Sequence, residues 1–241
     1  MESVLLASGV TFSLVTILAL VGTLQLSART RLYGYAAVAA CGSMAIAYVA
    51  MVPAEMAGIE TDYLRFVGYG AMWAGICLLV GAVSGAGRTL TLVLLGIVQA
   101  RVWVTLLSWH VEGVLGTLLA AFPFVMLIAG VYVLFGPFAR AAATVSSTRR
   151  LLYAKLRNLI VLVWLGLVAL GLLSGAEFAL TDDFLEQLSI IYVEAILLVG
   201  FAGIVLRSTD ALEDTAASRS TALDAESDSS GDVDAAVNAA D

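Results

Sequence analysis

Three ionised side chains fall inside long apolar stretches of this 241-residue sequence: Arg65, Arg101 and Glu194. A charge at the centre of a membrane helix costs at least about 2.5–3.5 kcal/mol on insertion scales, so each calls for a partner or a purpose. Three roles are open to Arg101. It snorkels to a membrane surface, as long basic side chains do, a position that Gln99, Trp103 and Trp109 nearby would suit. Otherwise it pairs with an acid such as Glu194, or it holds an anion. The remaining reactive residues are few. Lys155 is the sole lysine and His110 the sole histidine. One histidine, placed in a connecting segment, cannot build a Ser-His-Asp or Cys-His pair deep in the chain. Nor can it supply the several imidazoles that a histidine-held iron site needs. Cys41 and Cys77 each lie in an apolar stretch and read as small core residues rather than a disulfide or a metal site. An enzyme is therefore not expected, and neither is a metal.

The elements that must position these residues are membrane helices. Of the sequence, 61% is hydrophobic and 13% charged, with a mean hydropathy of +0.99. That excess of apolar residues exceeds what one water-soluble core buries, so a lipid bilayer is the expected solvent. A helical crossing takes about 20 apolar residues. Seven stretches qualify: Val4–Leu26, Leu32–Val52, Tyr63–Val83, Thr89–Trp109, Gly113–Phe135, Leu156–Leu173 and Leu185–Leu206. The first is too long for a signal-peptide core and lacks a basic start, so it is read as a retained helix. The connections are short, the longest being Gly136–Lys155, and short connections make neighbouring helices antiparallel. The fold class expected is all-α, a seven-helix up-down membrane bundle over residues 1–208. Glycine-rich stretches such as Gly34 through Gly42 suit close helix contact.

Charge assigns the two ends. Arg29, Arg31, Arg88, Arg140, Arg149, Arg150, Lys155, Arg157 and Arg207 fall at one end. Glu2, Glu55, Glu60, Asp62, Glu112, Glu177, Asp182, Asp183 and Glu186 fall at the other, with no lysine or arginine in its loops. By the positive-inside rule the basic end is cytoplasmic and the N-terminus outside, as for a multi-pass plasma-membrane protein. Residues 209–241 hold nine of the 19 acids and one of the 12 bases, with no aromatic residue. That composition predicts a disordered acidic tail. Without a basic patch, nucleic acid is not an expected partner.

The last apolar stretch carries Glu194-Ala195-Ile196-Leu197-Leu198-Val199-Gly200-Phe201 and ends Val205-Leu206-Arg207-Ser208. With Leu156-Arg157-Asn158-Leu159 through Trp164, and with Tyr132-Val133-Leu134-Phe135, it resembles the last three helices of the microbial rhodopsins, especially the bacteriorhodopsin-like group. Arg65 stands where that family has an arginine near the outer proton path. The resemblance covers roughly residues 3–208. It implies a lysine in the last helix, bound to retinal as a Schiff base, at the position held here by Leu198. Leucine forms no imine, and Lys155 lies at the start of the sixth helix. The family's third-helix acid corresponds to Gly68, its neighbouring pocket tryptophan to Tyr69, and its inner proton donor to Leu79. Trp164 is kept, while Leu167, Val168 and Gly171 stand for a tyrosine, a proline and a second tryptophan. Glu194 replaces an aspartate.

The resemblance also aims Glu194 toward Arg65, which implies an ion pair between the third and seventh helices. Such a pair serves either helix packing or a ligand, ion or proton site. Together these residues imply a rhodopsin-like protein without covalent retinal, a non-pigmented sensor-like or accessory protein. It would act through a cytoplasmic or membrane partner, or through an apolar ligand in a pocket drawn from Arg65, Tyr69, Trp164, Glu194 and Leu198. The alternative is an ion or proton transporter or channel, with any retinal held non-covalently. Trimers are common in the family resembled, so a homo-oligomer is the expected assembly.

Overall fold

The computed structural model describes residues 2–174 and 183–221. Eight helices follow in order: α1 (Glu2–Gln25), α2 (Arg31–Met56), α3 (Asp62–Ser84), α4 (Gly87–Ser108), α5 (Gly113–Phe135), α6 (Pro137–Ala142), α7 (Ser147–Ser174) and α8 (Asp183–Leu206). A further helical segment spans residues 209–221. Seven helices are long and apolar enough to cross a bilayer, with α5 and α6 together counting as one crossing. No strand occurs among the described residues. The chain is a multi-pass membrane protein.

Sequential neighbours pack against each other from α1 to α5, α7 packs on α8, and α8 returns to α1 and α2. α3 also meets α7 across the middle, so the ring closes around it. α3 is the most enclosed crossing. The outward faces carry Leu14, Ile17, Ile46, Leu118 and Ile128, all exposed, as a lipid-facing surface requires. Aromatic and sulfur-bearing residues fill the interior, among them Phe12, Met44, Tyr48, Met51 and Trp164.

Local chemistry sets the breaks. α3 ends on Gly85 at φ 69°, the left-handed turn that frees its last carbonyls for capping. Pro137 follows Gly136 and restarts the chain as α6. Pro123 sits inside α5 and removes one helical N–H there.

Two expectations are corrected. The segment expected as the long Gly136–Lys155 connection is mostly helical, because α6 occupies part of it and α7 begins at Ser147 rather than Leu156. Apolar content marks only the part of a helix inside lipid, whereas Arg149, Arg150 and Lys155 extend the same helix beyond it. The tail also does not begin at residue 209. Ala211, Leu212 and Thr215 are buried, and the 209–221 helix is fastened to α7 by side-chain hydrogen bonds. A small apolar face offsets the ordering entropy that the composition alone would leave unmet. The last part of the expected tail, residues 222–241, lies outside the described residues, as do Glu177 and Asp182 of the acidic loops.

Candidate functional site: a cavity in the acidic half of the bundle

The half of the bundle nearer Asp62 and the start of α8 contains a cavity of about 570 Å³ between α3, α4, α5, α7 and α8. Its wall is largely apolar and includes Met72, Trp73, Phe124, Leu127, Leu167 and Leu197. Arg65, Tyr69, Arg101, Glu186 and Glu194 supply its polar atoms, with Thr105 and Ser108. The volume falls in the range that encloses small-molecule ligands.

Glu194 is 4% exposed and is held by two tyrosines. Tyr48 of α2 donates its hydroxyl to Oε2 at 2.7 Å. Tyr69 of α3 donates to Oε1. Each carboxylate oxygen thus has a protein donor. Arg65 is 8% exposed and donates from Nη2 to Gln187 Oε1 at 2.8 Å. Its guanidinium carbon lies 5.9 Å from the centre of the Tyr48 ring. The direct Arg65–Glu194 ion pair expected from the sequence is not formed: among the described residues the only ion pair is His110–Glu60 at 3.3 Å. The reason is steric and chemical, since Tyr48 and Tyr69 already occupy both oxygens of Glu194 while Gln187 takes the arginine. Gln187 and Glu194 are seven apart on α8, two turns along one face, so a single helix presents both acceptors.

Arg101 does not snorkel. It lines the cavity, with its guanidinium carbon 5.5 Å from the centre of the Trp164 ring. Among the described residues its guanidinium has no hydrogen bond and no carboxylate within ion-pairing distance. Trp164 is 1% exposed and does not itself line the cavity. It lies behind the wall against Trp73, ring centres 5.7 Å apart, in space left by Gly130, where a side-chain carbon would come within 2.9 Å of it. Leu198 is fully buried and also absent from the lining, which Leu197 provides instead. Of the five residues proposed for the site, Arg65, Tyr69 and Glu194 therefore meet at the cavity, Trp164 backs it, and Leu198 stands apart.

Tyr48 and Gln187 were missed. Each is a polar residue in an apolar helix, and such residues in membrane helices turn toward the interior. The spacing of Gln187 from Glu194 carried that signal, whereas nothing local distinguished Tyr48 from an interfacial tyrosine.

Similar architecture occurs in solved structures. A thermophilic rhodopsin from Rubrobacter xylanophilus matches with a TM-score of 0.79 at 18% identity, over 90% of this chain and 100% of its own. A light-driven proton pump from Coccomyxa subellipsoidea matches at 0.74 and 19% identity, over 85% and 95%. Halorhodopsin, a light-driven chloride pump, matches at 0.75 and 15% identity, over 90% and 98%. The chain has the microbial rhodopsin fold. No family profile matches it, and no curated protein sequence does.

Retinal, which the rhodopsin resemblance implies, would need an amine in the cavity wall for covalent attachment. The sole lysine, Lys155, is exposed and lies outside the cavity, which has no amine in its wall. At Gly68 a side-chain carbon would come within 2.8 Å of Ala47 Cβ and 3.2 Å of Met44 Sδ, so α2 leaves no room there for an acid. Leu79 is buried among apolar residues.

Proposed function

We propose that this protein is a rhodopsin-fold membrane protein that holds no retinal covalently and works as a non-pigmented, sensor-like or accessory protein. It acts through an apolar ligand in the cavity and through contacts with a partner. The observation that carries this reading is the cavity wall, which joins Leu167, Val168 and Gly171 to Arg65 and Glu194 and presents no amine. Gly171 and Leu167 leave space where larger aromatic groups would fill it. The packing around Gly68 supports the reading further, because a proton relay needs titratable groups along its path and this one is closed to them.

By charge, the basic end faces the cytoplasm and the N-terminus lies outside, in the plasma membrane. The 209–221 helix and the basic loops beside it form the surface for a cytoplasmic partner, and a homo-oligomer is consistent with the apolar flanks. The membrane unit extends to residue 221, with residues 222–241 as an acidic appendage. No reaction is assigned to the protein.

A second reading, an ion or proton transporter with or without non-covalent retinal, is favoured by the pumps among the similar structures and by the Tyr48–Glu194–Tyr69 cluster. The discriminating experiment adds all-trans-retinal to purified protein and records the visible spectrum, then measures proton and chloride flux in vesicles. The preferred reading expects only the band of free retinal and no flux. A red-shifted band, or flux that Glu194→Gln abolishes, would overturn it in favour of the second.

A further inference from the structure

In the cavity wall, Arg101 is the cation without an acceptor: its guanidinium stacks on the face of Trp164 and has no hydrogen bond or ion pair among the described residues. The other buried charges are engaged, since Glu194 takes a tyrosine hydroxyl on each oxygen and Arg65 donates to Gln187 Oε1. Glu186 lies eight residues before Glu194, about 12 Å nearer the acidic end by helical rise. A cation inside a membrane bundle with no carboxylate of the described residues at ion-pairing distance is costly and marks a site by default.

We propose that the cavity binds an amphipathic carboxylate, its head group on Arg101 and its apolar body along α5 and α7. This rests on the preceding reading of the cavity as an apolar-ligand site, and it names the ligand class. A carboxylate brings acceptor lone pairs and no donor, and its two oxygens match the fork of the unpaired Arg101 guanidinium. An inorganic anion would satisfy Arg101 and leave most of a 570 Å³ apolar space unfilled. A neutral lipid alcohol or aldehyde would fill the space and leave the cation unpaired. Phe124 and Leu127 on α5 and Leu167 and Gly171 on α7 give the body of such a ligand an apolar channel. Arg101 lies seven residues inside the end of α4, about 10 Å along the helix, so the head group binds at depth rather than at the surface.

The test uses the full chain in detergent and measures binding of oleate, all-trans-retinoate, oleyl alcohol and chloride by displacement of a fluorescent fatty acid. Both carboxylates are expected to bind at least about tenfold tighter than oleyl alcohol. Arg101→Gln removes that preference while leaving oleyl alcohol unchanged. The tighter carboxylate identifies the source, a straight-chain lipid acid or an isoprenoid one. Equal binding of oleate and oleyl alcohol to the native protein would overturn the proposal without recourse to any variant. So would chloride displacing the probe as completely as oleate does, or no displacement by either carboxylate. A retinal adduct would sink the preceding reading instead, so the two failures are distinguishable.

Discussion

Arg149 and Arg101 are both carried on membrane-crossing helices, one at the basic end of the bundle and the other against the cavity in the acidic half. Arg149 is 6% exposed and every nitrogen past its aliphatic stem is engaged. Nε donates to Val83 O at 3.1 Å, Nη2 to Ala82 O at 2.9 Å and Nη1 to Ser218 Oγ at 2.8 Å. It ties together the end of α3, the start of α7 and the 209–221 helix. The carbonyls it takes are those that a helix C-terminus leaves without intrahelical partners. Arg101 has a tryptophan face and no acceptor. The first arginine is consumed by the fold. The second makes only a cation–π contact with Trp164, and it is the residue we propose for binding.

The largest effect separating the two ends is expected on stability. Arg149→Ala should cost about 3 kcal/mol, because charged hydrogen bonds to two carbonyls are lost together. The loss would appear as a lower unfolding midpoint in detergent. Arg101→Leu should change stability by no more than about 1 kcal/mol, the scale of a cation–π contact. If Arg101→Leu proved as damaging as Arg149→Ala, the contrast between the two residues would collapse.

Next comes packing inside the acidic half. Gly68→Ala places a carbon within 2.8 Å of Ala47 and should destabilise by about 1–3 kcal/mol through overpacking. Equal stability of that variant would mean that α2 and α3 yield, and that the closed position of Gly68 is no barrier to a side chain. Glu194→Gln should cost less, about 1–2 kcal/mol, since an amide offers one acceptor to two tyrosine hydroxyls. Its signature is hydrogen exchange that rises around Tyr48 and Tyr69 and nowhere at the basic end.

The seven crossings were legible in the sequence because bilayer thickness sets a length and apolar content marks it. Their true ends at α6 and α7 were not, because Arg149, Arg150 and Lys155 are good helix formers that lower local hydropathy. The 209–221 helix was hidden by its acid-rich and serine-rich composition. Its Ala211, Leu212 and Thr215 form a narrow face whose meaning depends on α7 being there to receive it. At the site, Arg65 and Glu194 could be picked out by cost alone. Their separation by Tyr48 and Tyr69 could not, since that depends on how α2 presents one hydroxyl to α8. Arg101 turned inward because Trp164 lies across from it, a contact between helices more than 60 positions apart in the chain.

The smallest effects lie outside the membrane-crossing segments, at Asp214 and His110, and separate the two ends by pH. Hydrogen bonds from Thr148 and Ser146 hold the Asp214 carboxyl below its usual range. Its contribution to the basic end is therefore present above the ordinary aspartate value near about 3.9 and is lost as pH falls through its lowered value. Amide exchange in the 209–221 helix should rise on acidification, and Asp214→Asn should remove that dependence. At the acidic end the sign reverses. A hydrogen bond to the Leu106 carbonyl, with Glu60 nearby, raises His110 above its usual range. Its contribution is complete below about pH 6.5 and is lost as pH rises through the raised value. The His110 ring proton shifts followed by NMR should titrate above that point, and Glu60→Gln should bring the midpoint down.

We propose that this rhodopsin fold offers retinal no covalent anchor. Incubating the purified protein with all-trans-retinal, reducing with borohydride and measuring the intact mass and the mass of each peptide tests this. The mass should be unchanged throughout, including the peptides bearing Leu198 and Lys155. A retinyl group on any residue within the membrane bundle would contradict it.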